Sequence, residues 1–109
     1  MREAGGPALI VTVRLAAALR AHAGGAAHFD VDVPAPGSPD SPGPRIADVL
    51  DALARIHPAL VRRIRDEAGG LRTHVNIFVD ADNVRDLQGL DTVVPAAAEL
   101  SLLPAVSGG

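Results

Sequence analysis

The sequence predicts an α+β domain in which a mixed sheet of four to five strands packs on one main helix. Four segments are predicted to be strands, because they are rich in β-branched and aliphatic residues or place apolar residues at alternate positions. Between the second and third of these segments, apolar residues recur with the helical period instead. With 109 residues, the chain is long enough for one compact domain but not for two.

The first two strands are expected to pair as an antiparallel hairpin, because they lie close together in the sequence. Leu9–Leu15 is rich in β-branched and apolar residues, and 27–33 alternates cleanly. Residues 16–23 have helix propensity but stop at Gly24-Gly25, so only a short helical turn is expected there. The side chains predicted to face the core are Leu9, Val11, Val13, Leu15, Phe29, Val31 and Val33, whereas those predicted to face water are His28, Asp30 and Asp32.

The main helix is predicted over 46–56, where an apolar stripe follows a single face. His57-Pro58 should end it, because the residue before a proline is pushed out of the helical region. A shorter helical segment is expected over 59–66. The stripe consists of Ile46, Val49, Leu50, Leu53 and Ile56.

The third and last strands are predicted at 74–80 and 99–103, and Val84-Arg85 is expected to form a short edge strand between them. Pro104 should end the last strand, because it has no N–H to donate to the sheet. The inward residues are predicted to be Val75, Ile77, Val79, Leu100 and Leu102. If the first and last strands lie side by side in parallel at the centre, this order of elements is a β-grasp.

Composition divides the chain into a domain and its flanking segments. Residues 1–7 are expected to be a disordered lead-in and 105–109 a flexible tail, which leaves 8–104 for the domain. Within the domain, 34–44 is rich in proline, glycine and serine and is predicted to be a loop. The first residues lack the apolar stretch of a signal peptide or membrane span, so we expect a cytoplasmic protein without a membrane partner.

Composition also excludes several classes of function. The net charge of −3 and the absence of Trp and Tyr argue against a nucleic-acid partner. The absence of cysteine excludes a disulfide scaffold, a cysteine nucleophile and a cysteine-ligated metal, and it fits a reducing cytosol. All 10 basic residues are arginine, so no lysine side chain of this chain can accept an isopeptide bond.

The candidate catalytic side chains do not converge on a site. The four histidines are scattered without metal-ligand spacing, and we interpret them as surface or capping residues. Asp30 and Asp32 share the outer face of a strand, where a solvated pair is favoured over acid–base catalysis. Arg62, Arg63 and Arg65 form a basic cluster that is either a solvated helix face or a docking site for an acidic partner. The sequence therefore predicts that the protein is not itself an enzyme and holds no metal.

The tail contains the residues that are predicted to carry the function. Beyond Pro104, small residues lead to Gly108-Gly109, and glycine allows a close approach of another backbone or passage through a narrow tunnel. The alternation also predicts that Phe78 and Leu103 face outward on neighbouring strands, as an apolar patch beside the tail. The candidate partner-binding residues are Phe78, Leu103, Pro104, Ala105, Val106, Ser107 and Gly108. The Gly109 carboxylate is the candidate group for an enzyme to act on.

The segment 102–109, with the sequence Leu-Leu-Pro-Ala-Val-Ser-Gly-Gly, resembles the end of the MoaD/ThiS family of ubiquitin-like sulfur carrier proteins. That family typically ends in a strand, one or two prolines, a short spacer and Gly-Gly. The segment 11–15 and Gly24-Gly25 are similar to its first strand and following turn. Ala105 replaces the second proline, and the loop 34–44 is longer than usual. Three further segments resemble the branch that feeds a cysteine synthase, the CysO type: 74–80, 83–85 and 89–92.

The resemblance implies a β-grasp fold and a defined reaction cycle. An E1-like adenylating and sulfurtransferase enzyme uses ATP and magnesium to adenylate the Gly109 carboxylate. Sulfur from a persulfide donor displaces AMP, and the resulting thiocarboxylate delivers sulfur to an acceptor enzyme. The carrier provides no catalytic side chain and binds no cofactor of its own.

The resemblance leaves several partners and roles open. A cysteine synthase is the first choice of acceptor, and the large subunit of molybdopterin synthase is the alternative. Conjugation through Gly109 to target lysines, as a ubiquitin-like modifier, is a further alternative. A plain interaction module with an inert tail is the remaining one.

Overall fold

The computed structural model describes residues 9–34 and 43–104, which form a five-stranded mixed sheet with helices against one face. The predicted lead-in 1–7, the tail 105–109 and residues 35–42 of the predicted loop lie outside the described residues. Within the described residues, three 3-10 helices cover Ala21–Ala23, Val84–Asp86 and Gly89–Asp91. The other elements are β1 (Leu9–Leu15), α1 (Ala17–Arg20), β2 (His28–Val33), α2 (Ile46–Ile56), α3 (Pro58–Ile64), β3 (Val75–Val79), β4 (Asp82–Asn83) and β5 (Glu99–Pro104).

The sheet has the strand order β2-β1-β5-β3-β4. β1 pairs antiparallel with β2 and parallel with β5, and β5 continues antiparallel to β3. The first and last strands therefore lie side by side in parallel at the centre. This confirms the predicted hairpin and the predicted β-grasp.

The core lies between the inward face of the sheet and α2. Alternate strand residues are buried as the period of two predicts, and the helix contributes an apolar stripe. Removal of these side chains from water is the main driving force for folding. The members that are entirely inaccessible include Val13, Val33, Ile46, Val49, Leu50, Leu53, Ile77, Leu100 and Leu102.

The chain breaks between α2 and α3 where the sequence predicts. His57 has φ −135° and ψ 68°, outside the helical region, and Pro58 occupies the first position of α3. The His57 ring packs on Phe29 of β2, with 5.0 Å between ring centroids. This contact fixes the end of α2 beside the edge of the sheet.

Two of the predictions made for individual residues are wrong. Ile56 is 54% exposed, because it lies at the margin of the apolar stripe and is the last residue of α2. The short edge strand is Asp82–Asn83 and not Val84-Arg85. Val84 is buried and begins a 3-10 helix, because the Asn83 side chain accepts a hydrogen bond from the Arg85 amide and turns the chain.

The segment between β1 and β2 is slightly more helical than predicted. α1 is followed directly by the 3-10 helix, and Gly24 then adopts φ +67°, a left-handed conformation that glycine accepts without strain. Among residues 9–34 and 43–104, no helix has the length and apolar character needed to cross a membrane.

The two adjacent leucines of β5 provide a matched test of the burial pattern. Leu102 is fully buried, whereas Leu103 on the opposite face is half-buried. Leu102→Ala should lower the free energy of unfolding by about 3 kcal/mol, because it leaves a cavity in the core. Leu103→Ala should cost about 1 kcal/mol or less. Urea unfolding midpoints with an unchanged m-value measure both effects, and equal losses would contradict the assigned register.

Candidate functional site

The central strand β5 leads directly to the predicted tail. Its inward residues Leu100 and Leu102 are held between β1 and β3, and Pro104 lies exposed opposite Val75 at the end of the strand. Pro104 is the last described residue before the tail. The candidate residues Ala105, Val106, Ser107, Gly108 and Gly109 lie outside the described residues. What the structure defines is therefore the rigid base from which the tail leaves.

Phe78 and Leu103 lie together on the open face of the sheet, and we call this pair the tail-side patch. Leu103 is opposite Asn76 and Phe78 is opposite Ser101, so the two apolar side chains are diagonal neighbours on adjacent strands. Both side chains are half-buried. The neighbours of Phe78 along β3 are buried, and Leu103 lies between the buried Leu102 and the exposed Pro104 at the end of β5. The sequence prediction that these two residues face away from the core agrees with this pattern.

Charged groups border the tail-side patch on its β1 side. The Arg14 guanidinium contacts the Glu99 carboxylate at 2.7 Å, with about half of each side chain exposed (55% and 42%). An exposed ion pair of this kind contributes little to stability. It can therefore exchange partners when another surface covers the patch.

Arg85 fixes the other border of the patch. Its Nε donates to Asn76 Oδ1 at 3.1 Å, and its Nη2 donates to the carbonyl oxygens of Arg72 and Val75 at 2.6 Å each. One guanidinium thus ties the 3-10 helix after β4 to the start of β3. Because Asn76 is opposite Leu103, this clamp sets the position of the patch relative to the end of β5.

A small cavity of about 180 Å³ lies at the end of β5, on the side of α1 and α3. Its lining includes His22, Arg63, His74 and Pro104. From the sequence alone, these histidines are interpreted as unrelated surface or capping residues, because they belong to different segments and lack the spacing of metal ligands. Only the pairing of β5 with β1 and β3 brings them together beside the exit of the tail. The cavity walls can offer N–H donors to an acidic group.

The predicted arginine cluster is divided by the fold. The Arg65 guanidinium forms an ion pair with Asp51 at 2.8 Å and also donates to the Gly69 carbonyl, so it holds α3 to α2 and to the following turn. Arg63 instead lines the cavity at the tail exit, and Arg62 is exposed. Of the three arginines, only Arg63 lines the cavity beside Pro104.

The other candidate side chains remain on separate surfaces. Asp30 accepts a hydrogen bond from Thr12 at 2.8 Å on the open face, and both Asp30 and Asp32 are exposed. Within the part of the chain that the structure describes, no three histidine, aspartate or glutamate side chains are grouped as metal ligands would be.

Comparison with known proteins identifies the family. Residues 35–109 match the ThiS family, and this match spans the core helix, the central strand and the tail. The chain belongs to the ThiS family. The matched region includes every residue of the tail-side patch and both glycines of the predicted tail.

The proteins to which this ThiS-family chain is similar include a modifier protein and sulfur carrier proteins. Small archaeal modifier protein 1 of Haloferax volcanii is 38% identical over 64 residues, which are 59% of this chain and 69% of that protein. The sulfur carrier protein CysO of Mycobacterium tuberculosis is 31% identical over 101 residues, or 91% of this chain and 98% of that protein. The structure of the BexX/CysO complex of Amycolatopsis orientalis superposes with a TM-score of 0.71 at 29% identity, covering 91% of this chain and 99% of that one. Ubiquitin-like β-grasp architecture is thus shared across the group.

The Arg85 clamp can be tested by a conservative replacement. Arg85→Lys keeps the charge but loses the fork that reaches Asn76 and two carbonyl oxygens at once, so the free energy of unfolding should fall by about 1 kcal/mol. Arg62→Lys, at an exposed position with no side-chain bond among the described residues, should have no effect. Thermal unfolding of both variants checks this. Equal melting temperatures would show that the clamp does not contribute.

Proposed function

We propose that this ThiS-family chain is a sulfur carrier whose Gly109 carboxylate is activated and converted to a thiocarboxylate. The observation that carries the proposal is the family match that runs through β5 to Gly109. The position of Pro104 supports it, because this residue ends the central strand beside the tail-side patch and the cavity lined by His22, Arg63 and His74. A domain of this design presents a chain end and supplies recognition surfaces.

The proposed chemistry needs an activating enzyme, because a free carboxylate is a poor electrophile. An E1-like partner using ATP and magnesium would form the Gly109 acyl-adenylate and release pyrophosphate. The terminal sulfur of a persulfide then attacks the carbonyl carbon, the bond to the AMP oxygen breaks, and AMP leaves. A thiol reduces the resulting acyl disulfide and leaves the thiocarboxylate. The sulfur remains covalently attached and cannot diffuse away.

We propose cysteine biosynthesis as the pathway that uses this sulfur, with a cysteine synthase as the acceptor. The support is the similarity to CysO, which extends over 91% of this chain and 98% of that protein. The large subunit of molybdopterin synthase is the alternative acceptor. Incubation of the thiocarboxylated protein with each purified acceptor, followed by measurement of sulfur loss from Gly109, distinguishes the two. We propose a cytoplasmic location for the cycle, because a chain without cysteine fits a reducing compartment.

A role as a protein modifier is the second candidate, because of the similarity to small archaeal modifier protein 1. In that case Gly109 would form an amide with lysines of target proteins. Adducts that survive denaturing gel electrophoresis would favour this role, whereas a thiocarboxylate pool without adducts favours the carrier.

The carrier function can be tested by the intact mass of the protein isolated from its native host. Exchange of one oxygen for sulfur adds about 16 Da, and since oxidation of Met1 adds nearly the same mass, the change must map to the C-terminal peptide. Deletion of Gly109 should abolish the added mass and leave the melting temperature unchanged. A chain without Gly109 that still accepted sulfur would contradict the proposal.

The role of the tail-side patch can be tested with Leu103→Asp. The half-buried leucine lies on the open face, so the variant should fold but bind its activating enzyme about tenfold more weakly, because burial of a leucine contributes on the order of 1.5 kcal/mol or more. Leu87→Asp alters a leucine that is 48% exposed and lies outside the patch, and serves as the matched control. Adenylation kinetics measure both variants. Equal KM values would exclude the patch from docking.

A further inference from the structure

A second surface lies along the outer edge of β2, away from the tail. β2 is the first strand in the order of the sheet, and among residues 9–34 and 43–104 it pairs only with β1. It is six residues long, whereas β4 at the other edge has two. The structure thus has one long edge strand, and such an edge is a template for an added strand.

The backbone groups that face this edge can be identified from the register. The Leu15 amide donates to the Ala27 carbonyl at 2.8 Å, which makes this a hydrogen-bonded pair. Hydrogen-bonded and non-hydrogen-bonded pairs alternate in an antiparallel ladder. The backbone groups of Phe29, Val31 and Val33 therefore point to β1, and those of Asp30 and Asp32 point to the free edge.

A groove of about 300 Å³ adjoins this edge, between β2 and the end of α2. Its helix side includes Ala52, Arg55 and Ile56, and Ile56 is the exposed residue that the sequence places in the core. A strand added to β2 would direct every second side chain towards this groove. The strand side of the groove includes Asp30, Val31, Asp32 and Pro34. An aliphatic side chain fits there against Ala52 and Ile56.

The other side chains of an added strand would lie on the open face, next to Asp30 and Asp32. Neither carboxylate has a cationic partner among the described residues, and Asp32 has no side-chain hydrogen bond there either. Basic side chains are favoured at these positions. A second copy of β2 is disfavoured, because it would bring like charges opposite each other across the new pair.

We propose that the free edge of β2 and the adjoining groove bind an extended segment of a partner protein in which basic residues alternate with aliphatic ones. Val33 is opposite Leu9 at the start of β1, while Leu102 is beside Leu15 at its end. The Val33 end of the edge strand and the Pro104 end of β5 therefore lie at opposite ends of the strands. A partner can hold the domain here while an enzyme occupies the tail.

The test uses the full chain labelled with nitrogen-15 and an acetylated, amidated hexapeptide of alternating arginine and valine. Titration should shift the amide resonances of Asp30 and Asp32 and the signals of Ile56. N-methylation of the peptide residues that face β2 should abolish binding, whereas N-methylation of the intervening residues should leave it unchanged. This pair of probes separates strand addition from simple charge attraction without altering the protein.

Protein variants then test whether the negative charge of β2 contributes to peptide binding. Asp32→Asn should weaken binding roughly two- to fivefold at low salt, as expected for one exposed ion pair. Asp82→Asn removes the same charge from the opposite edge and should have no effect. No binding, equal binding of a glutamate–valine peptide, or insensitivity to N-methylation would overturn the proposal. The same amide shifts on concentrating the protein without peptide would assign the edge to a second copy and would also overturn it.

Discussion

The parallel pairing of β1 with β5 is the interaction on which the rest of the structure depends. It joins the β1–β2 hairpin to the antiparallel pair of β5 and β3, and without it the sheet would be two separate ribbons. Both strands are buried on the face that α2 covers. A parallel pair between the two ends of the domain is a non-local contact, so chain entropy opposes it until the core side chains pack.

Much of this fold follows from local patterns in the sequence. Alternation identifies the strands and the buried face, and the helical stripe and His57-Pro58 define α2 and its end. The exceptions have physical causes. Ile56 lies at the margin of the stripe, where burial depends on neighbours that only the fold supplies. Val84 belongs to a 3-10 helix because the Asn83 side chain accepts a hydrogen bond from the Arg85 amide. Strand propensity takes no account of this capping bond.

The candidate site is harder to predict from the sequence than the fold is. The outward orientation of Phe78 and Leu103 follows from alternation, but their proximity requires the register between β3 and β5. The meeting of His22, Arg63 and His74 beside Pro104 has no sequence signal, since three separate segments contribute one residue each. The candidate recognition surfaces of this chain exist only in the folded state. Catalytic sites, by contrast, often leave a local spacing of residues.

The central position of β5 also bears on how the domain opens. In many proteins the segment next to a functional terminus can unfold locally while the core remains intact. Here the segment next to the tail is the strand that bridges both halves of the sheet, with Leu100 and Leu102 fully buried. Its amides should exchange with solvent only through global unfolding. The strand that leads to the predicted tail therefore shares the cooperative stability of the whole domain, and its end should stay in place unless the domain unfolds.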